Sequence, residues 1–353
     1  MSTKTNPGNY FEDFRMDQQI RHATPRTVTD GDVALYTALY GVRFAFNSSE
    51  EFARTLGLPR APLDDFLAFH MVFGKTVPDI SLNAVANLGY AQGRFLTPVF
   101  PGDTLSTSST VIGLRQNKDG KTGVVYVRSV GSNQLGETVL DYCRWVMVRK
   151  NDEDAPAPEV DLPNLPDAVA PADLFVPVNL DVREHDDTVL AGSDQLWDDY
   201  ALGEKIDHVD GMTIEEAEHM IATRLYQNTA KVHFDAMLQK TSRFGRRLIY
   251  GGHIISLARS LSFNGLANAF KVVAINGGRH VAPTFAGDTI YAWSEVLAKM
   301  DVPGRSDVGA LRLRTVATKE KPCWDFPVKS ADGNYDAVVV LDFDYTVLLP
   351  LRG

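Results

Sequence analysis

Apolar residues along the chain fall into short runs and longer stretches, and the two predict different elements. Runs rich in β-branched residues predict strands, and in the first half they cover residues 107–111, 124–130 and 140–148. Two longer apolar stretches, 65–73 and 252–261, predict helices. The second of these leaves few faces free for solvent, so we expect it to be a buried helix; its apolar positions are Ile254, Ile255, Leu257, Ala258 and Leu261.

Polar residues that stabilise turns and helix starts lie at the edges of these elements. Thr29 and Thr213 each precede a helical stretch. Thr213 and Glu216 have the spacing of a capping box, in which both side chains bond free N–H groups at the helix start. Residues 102–104 and 287–289, both Gly-Asp-Thr, predict turns that open strands. This order of elements favours an α+β fold, with an antiparallel sheet wrapped around a long buried helix.

The whole pattern occurs twice along the chain. Residues 11–14 (FEDF) return as residues 197–200 (WDDY), an offset of 197 − 11 = 186. Residues 93–105 return at 278–290 with an offset of 278 − 93 = 185, and residues 123–128 match 309–314 with an offset of 309 − 123 = 186. Three matches in nearly one register indicate a duplicated domain. A difference between the two copies therefore marks a candidate for function.

The segment between the copies has the composition of a linker. Residues 151–177 hold six of the 18 prolines and seven acidic residues, and they contain no Lys or Arg. Proline stiffness and like-charge repulsion predict an extended segment on the outside of the molecule. We therefore expect an N-terminal domain at 1–150, this linker, and a C-terminal domain at 178–353. Residues 140–142 match 341–343 with an offset of 341 − 140 = 201, so about 15 residues (201 − 186) are inserted in the second copy, within 319–335.

Composition narrows the class of protein. The 353 residues are 44% hydrophobic and 23% charged, which is typical of a chain that buries two cores. The net charge of −10 argues against a nucleic-acid partner. We find no apolar run of the ~18 residues that span a membrane and no apolar core of a signal peptide. Cys143 and Cys323 have no metal-ligand spacing, so we expect a cytoplasmic protein without a metal site.

One histidine distinguishes the two copies. When the copies are aligned at the end of their first helix, His233 falls where the first copy has Asn47. Asn228 falls where the first copy has Val42. A polar residue and a histidine five positions apart in a helix-exit loop can converge on one water molecule. Because imidazole accepts and returns protons near neutral pH, His233 is the candidate acid–base residue.

Several motifs together resemble those of a known family. The sequence Pro-Val-x-x-Gly-Asp-Thr-Leu is present nearly intact at residues 98–105 and 283–290. Tyr250-Gly251-Gly252-His253 stands at the start of the buried helix, and Asn228 is followed by His233-Phe234-Asp235. This pattern resembles the MaoC-like, R-specific enoyl-CoA hydratases of the hot-dog superfamily. Residues 70–83 and 250–259 are similar to one branch of that family, the mesaconyl-CoA hydratases, and the resemblance extends over nearly the whole chain.

The resemblance implies a tandem hot-dog fold and reversible hydration of a 2-enoyl-CoA thioester, with mesaconyl-CoA and β-methylmalyl-CoA as the expected pair. It places the catalytic histidine, His233, in the C-terminal half, while the N-terminal half shapes the acyl-CoA pocket. The family's usual aspartate is Asn228 here, an amide that can orient water but cannot take its proton. Either His233 acts without a carboxylate and Asn228 positions the water, or Asp235 has taken the carboxylate's role.

Hydration also needs groups that bind the thioester and the CoA moiety. Backbone N–H groups at a helix start can stabilise charge on the thioester oxygen. Gly251 and Gly252 are the candidates, because without side chains they allow close approach, and His253 is a further candidate for the substrate site. A basic run before this helix is suited to CoA phosphates or to a substrate carboxylate, and it comprises Lys240, Arg243, Arg246 and Arg247.

Other assignments and functions stay open. Residues that match across the copies are expected to serve the shared fold: His22 with His208, Arg94 with Arg279, and Asp103 with Asp288. A thioesterase on the same fold would direct water at the thioester carbonyl, and a non-catalytic acyl-CoA-binding module would bind without turnover. We expect no cofactor, because the thioester itself acidifies the α-proton and CoA arrives with the substrate. No membrane partner is expected, and the sequence leaves open whether the chain forms a homo-oligomer.

Overall fold

The computed structural model describes residues 4–183 and 188–352, and ten strands form its framework. The first half supplies β1 (Gln19–Thr27), β2 (Ala84–Phe95), β3 (Thr104–Gln116), β4 (Thr122–Ser132) and β5 (Thr138–Arg149). The second half supplies β6 (Lys205–Thr213), β7 (Lys271–His280), β8 (Thr289–Asp301), β9 (Val308–Lys319) and β10 (Val339–Pro350). The predicted strands are present, and each extends beyond the run of β-branched residues that predicted it.

All ten strands join in one antiparallel sheet in the order β1-β3-β4-β5-β2-β7-β10-β9-β8-β6. The two halves of this order are mirror images, since β6 to β10 repeat the arrangement of β1 to β5. The duplication seen in the sequence is therefore a duplication of topology. The halves meet where β2 pairs with β7.

The helices also follow the duplicated plan. The first half contains α1 (Asp30–Tyr40), α2 (Ala45–Ser48), α3 (Glu50–Thr55) and α4 (Asp65–Thr76), with a π-helical turn at Val77–Ser81. The second half contains α5 (Thr188–Ala191), α6 (Glu216–Leu225), α7 (Lys231–Phe234), α8 (Ala236–Gln239), α9 (Gly251–Leu261) and α10 (Phe263–Leu266). Short 3-10 turns lie at Phe11–Asp13, Pro171–Asp173 and Trp197–Asp199.

Two helices, α4 and α9, form the centre of the molecule and are buried along almost their whole length. The main hydrophobic core draws residues from both halves around them. Phe66 of α4 packs its ring 6.2 Å from the ring of Phe95 in its own half and 5.7 Å from that of Phe343 in the other. The predicted α+β arrangement, one buried helix per half wrapped by an antiparallel sheet, is confirmed.

Matched residues of the two halves make matched bonds. The Nε2 atoms of His22 and His208 lie 2.8 Å from the hydroxyls of Ser109 and Ser294 respectively, on equivalent strands. Asp103 and Asp288 accept hydrogen bonds from the backbone N–H groups of residues 100 and 285, at 2.8 and 3.0 Å. These pairs therefore serve the shared fold, as their symmetry in the sequence indicates.

The matched arginines, Arg94 and Arg279, do not make matched bonds. Arg94 donates to Asp141 at 2.7 Å. In the second half the equivalent carboxylate, Asp342, is bonded by Arg314 and by the Tyr335 hydroxyl at 2.7 Å, and Arg279 is exposed. Tyr335 comes from the inserted segment, so the insertion has taken over the position that the second arginine would fill.

The capping box lies in the first half, and the expectation of one at Thr213 was wrong. Thr29 accepts from the N–H of Asp32 at 3.2 Å, and the Asp32 carboxylate accepts from the N–H of Thr29 at 2.9 Å. In the second half α6 begins after Glu215, which forms no side-chain cap. Thr213 is the last residue of β6, and its hydroxyl bonds Thr289 at 2.8 Å. At the offset of 186 the true equivalent of Thr29 is Glu215 (29 + 186).

The inserted segment and the linker both cover the outside of the sheet. Residues 320–338 connect β9 to β10, where residues 133–137 connect β4 to β5. The insertion forms a small separate core, in which Trp293 donates to the Pro327 carbonyl at 3.0 Å. Most residues of 151–177 are exposed, and this segment runs along both halves, bonded for example through Gln92.

We expect Phe66→Ala to lower the free energy of unfolding by about 3–5 kcal/mol, because it removes a ring that fills space between the halves. Urea denaturation followed by circular dichroism measures this change. Leu135→Ala is the control, since Leu135 is 75% exposed and its loss should change stability by less than about 0.5 kcal/mol. Equal small effects of both changes would show that the two halves are not held by a shared core.

Candidate active site

A cavity of about 310 Å³ opens between the two halves of the chain. Both halves contribute walls. The first half provides, among others, Phe73, Val77, Asn87, Tyr90 and Arg144; the second provides Asn228, His233, Leu248, Tyr250, Gly251 and His280. Three of the residues selected from the sequence, Asn228, His233 and Gly251, are thus brought together.

His233 lies in the short helix α7, and the loop before α9 holds its ring. Its Nδ1 atom lies 2.9 Å from the Leu248 carbonyl oxygen. A carbonyl can only accept, so Nδ1 carries the proton and Nε2 keeps a free lone pair. Burial lowers the pKa of His233 to about 4, despite the opposing bond to Leu248. The ring is therefore neutral at neutral pH and can act as a base.

The first half makes an equivalent bond between its short helix and the loop, but it has no acid–base residue at this position. Asn47, at the position equivalent to His233, donates its amide to the carbonyls of Pro62 and Leu63 at 3.3 and 3.0 Å. Pro62 is the equivalent of Leu248 at the offset of 186 (62 + 186). Both side chains therefore tie the same loop to the same short helix, and only His233 adds an acid–base group.

Asn228 lies on the cavity wall at the exit of α6 and is 1% exposed. Its Oδ1 accepts from the N–H of Ala230 at 3.1 Å, which fixes the orientation of the amide. Within residues 4–183 and 188–352, its Nδ2 meets no hydrogen-bond acceptor. A donor of this kind at a cavity wall can hold the oxygen of a water molecule.

Asp235 does not join this group. Its side chain is exposed, and Oδ1 accepts from the N–H of Leu238 at 2.9 Å, which caps α8. A short polar side chain at this position is the usual N-cap, so the local helix explains it. Of these two residues, Asn228 lines the cavity with His233 and Asp235 does not.

The first residue of α9, Gly251, lines the cavity, so the N-terminus of this helix lies at the cavity wall. A Cβ at Gly251 would lie 2.4 Å from the ring of His280, and one at Gly252 would lie 2.4 Å from the ring of Tyr250. Close packing of aromatic rings therefore requires both glycines. Gly252 does not line the cavity.

His253 faces away from the cavity. Its Nδ1 lies 2.7 Å from the hydroxyl of Tyr40, and burial lowers its pKa to about 3. Because it lies two residues beyond Gly251 on the helix, it points to a different side of α9. The structure assigns it to packing between the halves and does not place it at the substrate site.

The basic run lies near the mouth of the cavity and does not line it. Phe244, within the run, does line the cavity. Lys240, Arg243 and Arg246 are exposed, and Arg246 stacks 3.8 Å above the ring of Phe285. Arg247 is instead paired with Glu216 at 2.6 Å.

Sequence reasoning missed two further histidines of the second half, of which His280 lines the cavity. His280 lies 3.1 Å from the Tyr90 hydroxyl, and its pKa is lowered to about 4, mainly by burial and also by His233. His219 accepts from the N–H of Tyr250 at 2.9 Å and so ties α6 to the start of α9. At the offsets of the repeat, His280 stands opposite Phe95 and His219 opposite Val33. The comparison of copies that selected His233 would have selected both.

Two further observations concern metal binding and membrane spanning. Among the described residues, no three His, Cys, Asp or Glu side chains are grouped so as to hold a metal ion. Over the same part of the chain, no helix has the length and apolar character needed to cross a membrane.

Comparison with curated proteins identifies relatives along the full length. The beta-methylmalyl-CoA dehydratase of Chloroflexus aurantiacus is 70% identical over 353 residues, which cover 100% of both proteins. The mesaconyl-CoA hydratase of Cereibacter sphaeroides is 61% identical over 351 residues, covering 98% of this chain and 99% of that protein.

Solved structures and a family model agree with these relatives. A MaoC domain protein of Chloroflexus aurantiacus superposes with a TM-score of 0.98 at 70% identity, covering 100% of both chains. A conserved protein of Mycobacterium tuberculosis, described as a double hot-dog fold, superposes with a TM-score of 0.76 at 25% identity, covering 98% of this chain and 99% of that one. The fold is thus a double hot dog. The model of the family described as mesaconyl-CoA hydratase matches residues 2–333, and the chain belongs to this family.

Proposed function

We propose that the protein adds water reversibly to mesaconyl-CoA, forming β-methylmalyl-CoA, at the cavity between its halves. The observation that carries the proposal is His233, a half-buried imidazole on the cavity wall that its lowered pKa keeps neutral. Its Nδ1 is bonded to the Leu248 carbonyl, which leaves the lone pair on Nε2 to accept a proton. Membership of the family and full-length identity of 70% and 61% to a dehydratase and a hydratase of this substrate pair support the choice of reaction.

In the proposed reaction His233 acts first as a base and then as an acid. Its Nε2 takes a proton from water while the water oxygen bonds the β-carbon of the enoyl group. The electron pair of the double bond moves to the α-carbon and onto the thioester oxygen, giving an enolate. The α-carbon then takes the proton back from His233 as the carbonyl re-forms. No proton or electron is gained or lost beyond the added water.

Two neighbours of His233 have supporting roles in this proposal. Asn228 Nδ2 donates to the water oxygen and holds it beside His233, a role that an amide fills without changing charge. The N–H of Gly251, at the positive end of the α9 dipole, stabilises the negative charge on the thioester oxygen. Among the residues of the cavity, Gly251 is suited to this because it is the first residue of α9.

The CoA moiety is proposed to lie at the mouth of the cavity. Phe244 and Val85, from opposite halves, are exposed apolar residues that line the opening. Lys240, Arg243 and Arg246 extend into solvent from the same region and are suited to phosphate groups. Arg247 contributes less, since Glu216 already neutralises it.

The reaction as proposed needs no cofactor, because the thioester supplies the acidity of the α-proton. Water and the acyl-CoA are the only reactants. We also place the reaction in the cytoplasm, in keeping with the two cysteines, Cys143 and Cys323, which are buried and unpaired.

We expect His233→Asn to lower kcat for mesaconyl-CoA hydration by about 10²–10⁴-fold while the fold is retained. Asparagine is the residue of the first half at this position, where it makes the equivalent loop bond, so the change removes the base and keeps the contact. Product mass, which increases by one water, measures hydration. Free thiol measured in parallel detects thioesterase activity.

His208→Asn serves as the control, because His208 is a buried histidine that lies away from the cavity and bonds Ser294. It should lower stability and leave the kcat of the folded protein unchanged. Full hydratase activity in His233→Asn would contradict the assignment of the base. Thiol release by the unaltered protein, without hydration, would point to the thioesterase.

We expect Asn228→Ala to lower kcat about 10- to 100-fold with little change in KM, because the amide is proposed to orient water and to make no contact with the acyl-CoA. Steady-state rates with mesaconyl-CoA measure both constants. Asn264→Ala, at an exposed asparagine outside the cavity, is the control and should leave both constants unchanged. A rise in KM with kcat unchanged would show that Asn228 binds the substrate.

The pH dependence follows from the lowered pKa of His233. Only the neutral ring can accept a proton from water, and with a pKa of about 4 the neutral form dominates at every higher pH. We expect kcat/KM to stay level as the pH falls from about 8 to about 5, and to decrease only below that. Circular dichroism at each pH checks that the protein is folded. A half-maximal rate near pH 6.5, the value of an unperturbed imidazole, would contradict the burial of His233.

A further inference from the structure

Arg144 on β5 is an arginine buried in the wall of the cavity, with 0% of its surface exposed. One nitrogen, Nη2, donates to the hydroxyls of Thr76 and Ser81 at 2.8 and 3.4 Å. The ring of Phe73 covers the guanidinium at 4.3 Å. The other two nitrogens, Nε and Nη1, have no hydrogen-bond acceptor.

No carboxylate of the described residues neutralises this cation. In the described parts of the chain Arg144 forms no ion pair, and the ionisable groups that act on it are three tyrosines: Tyr142, Tyr90 and Tyr250. Burial lowers the pKa of Arg144 from its ordinary value, which reflects the cost of a charge without water or counter-ion. A buried charge with unmet donors is among the costliest features a fold can carry, so its retention calls for an explanation.

Among the described residues one other arginine is buried, and its nitrogens have hydrogen-bond acceptors. Arg259 is 5% exposed, and its nitrogens donate to Ser262 and to the Ala269 carbonyl. The position equivalent to Arg144 in the second half is Tyr345 (144 + 201), a neutral residue whose hydroxyl accepts from Thr315. Shared architecture therefore does not require an arginine here, and the charge belongs to the first half alone.

The sheet places Arg144 close to the proposed reaction centre. Arg144 is the cross-strand partner of Tyr90 on β2, and residues paired in this way lie side by side on one face. The hydroxyl of Tyr90 reaches His280, which lines the same cavity as His233. His233 of the second half and Arg144 of the first half thus line one cavity.

A second unpaired polar group lines the same wall. Asn87, three residues before Tyr90 on β2, has neither its Nδ2 nor its Oδ1 bonded, and both atoms are buried. Its amide adds a donor beside the guanidinium. Unmet donors on two neighbouring strands fit an acceptor-rich ligand group, and they do not fit an apolar acyl tail.

We propose that Arg144, with Asn87 beside it, binds a free carboxylate at the far end of the acyl group and thereby selects dicarboxylic enoyl-CoA thioesters over simple ones. This inference rests on the proposed function, in which the acyl group is that of mesaconyl-CoA, a thioester that retains one free carboxylate. The substrate supplies the counter-ion that the protein lacks. Its carboxylate fixes the double bond relative to His233, and the second half performs the chemistry.

Binding of unreactive thioesters tests this subsite independently of turnover. Succinyl-CoA and butyryl-CoA have acyl groups of the same length, ending in a carboxylate and a methyl group respectively. Titration calorimetry should show that the protein binds succinyl-CoA more tightly. In Arg144→Met, which keeps the length of the side chain, the ratio of the two affinities should fall by about 100-fold. The reason is that succinyl-CoA should bind more weakly while binding of butyryl-CoA stays unchanged. Arg144→Lys should retain part of it, because the charge is kept and the paired donors are lost.

Arg259→Met is the matched control, since it also removes a buried arginine but lies away from the cavity. It should lower stability and keep the preference for succinyl-CoA. Equal binding of the two thioesters by the unaltered protein, or equal weakening of both by Arg144→Met, would overturn the proposal. If Arg144→Met does not fold, Arg144→Lys provides the test. The proposal would be overturned if this variant kept the full preference for succinyl-CoA and hydrated mesaconyl-CoA and crotonyl-CoA at equal rates.

Turnover separates this inference from the proposed function. Arg144→Met should hydrate crotonyl-CoA as well as the unaltered protein does, while hydration of mesaconyl-CoA falls. Failure of the unaltered protein to hydrate either substrate would contradict the proposed function. A lost succinyl-CoA preference in Arg144→Met would then still establish the carboxylate subsite.

Discussion

The pairing of β2 with β7 is the constraint on which the rest of the structure depends. It joins two five-stranded sheets into one and brings α4 and α9 into a shared core. Two glycines allow it, since a Cβ at Gly93 would lie 2.8 Å from Cβ of Ile275, and one at Gly278 would lie 3.0 Å from the ring of Tyr90. The same pairing sets Tyr90 opposite Gly278 and beside His280. Without this strand pairing, the first half would contribute no wall to the cavity.

Hydrogen bonds across the pseudo-symmetry hold the two halves in register. The hydroxyl of Tyr226 donates to that of Tyr40, its equivalent at the offset of 186, at 2.8 Å. His70 and Ser256, likewise equivalent, lie 2.8 Å apart through Nε2 and the hydroxyl. Buried polar pairs of this kind are satisfied only in one relative position of the halves. They explain why the centre of the molecule carries so many tyrosines and neutral histidines.

The two halves keep the same fold but contribute different polar residues to the cavity. The second half has exchanged Asn47 for His233 while keeping the loop contact that the asparagine makes. The first half has kept the contact, and it carries an unpaired arginine where the second has Tyr345. Each half thus retains the bonds that the fold needs. Each also adds one polar group of its own to the shared cavity, His233 from the second half and Arg144 from the first.

The sequence by itself determined the duplication, the two buried helices and the position of His233. These depend on residue type and on separations along the chain, which the repeat makes visible: His233 stands out because Asn47 occupies the same place in the first copy. Tertiary structure alone decided which candidates face the cavity. Asp235 caps α8, His253 bonds Tyr40, and the capping box belongs to Thr29, because local hydrogen bonds and helix facing depend on exact geometry. Arg144 became part of the site only when β5 was placed beside β2, since spacing along a chain does not record which strands are neighbours. His280, in contrast, differs from Phe95 of the first copy, so the repeat alone could have selected it.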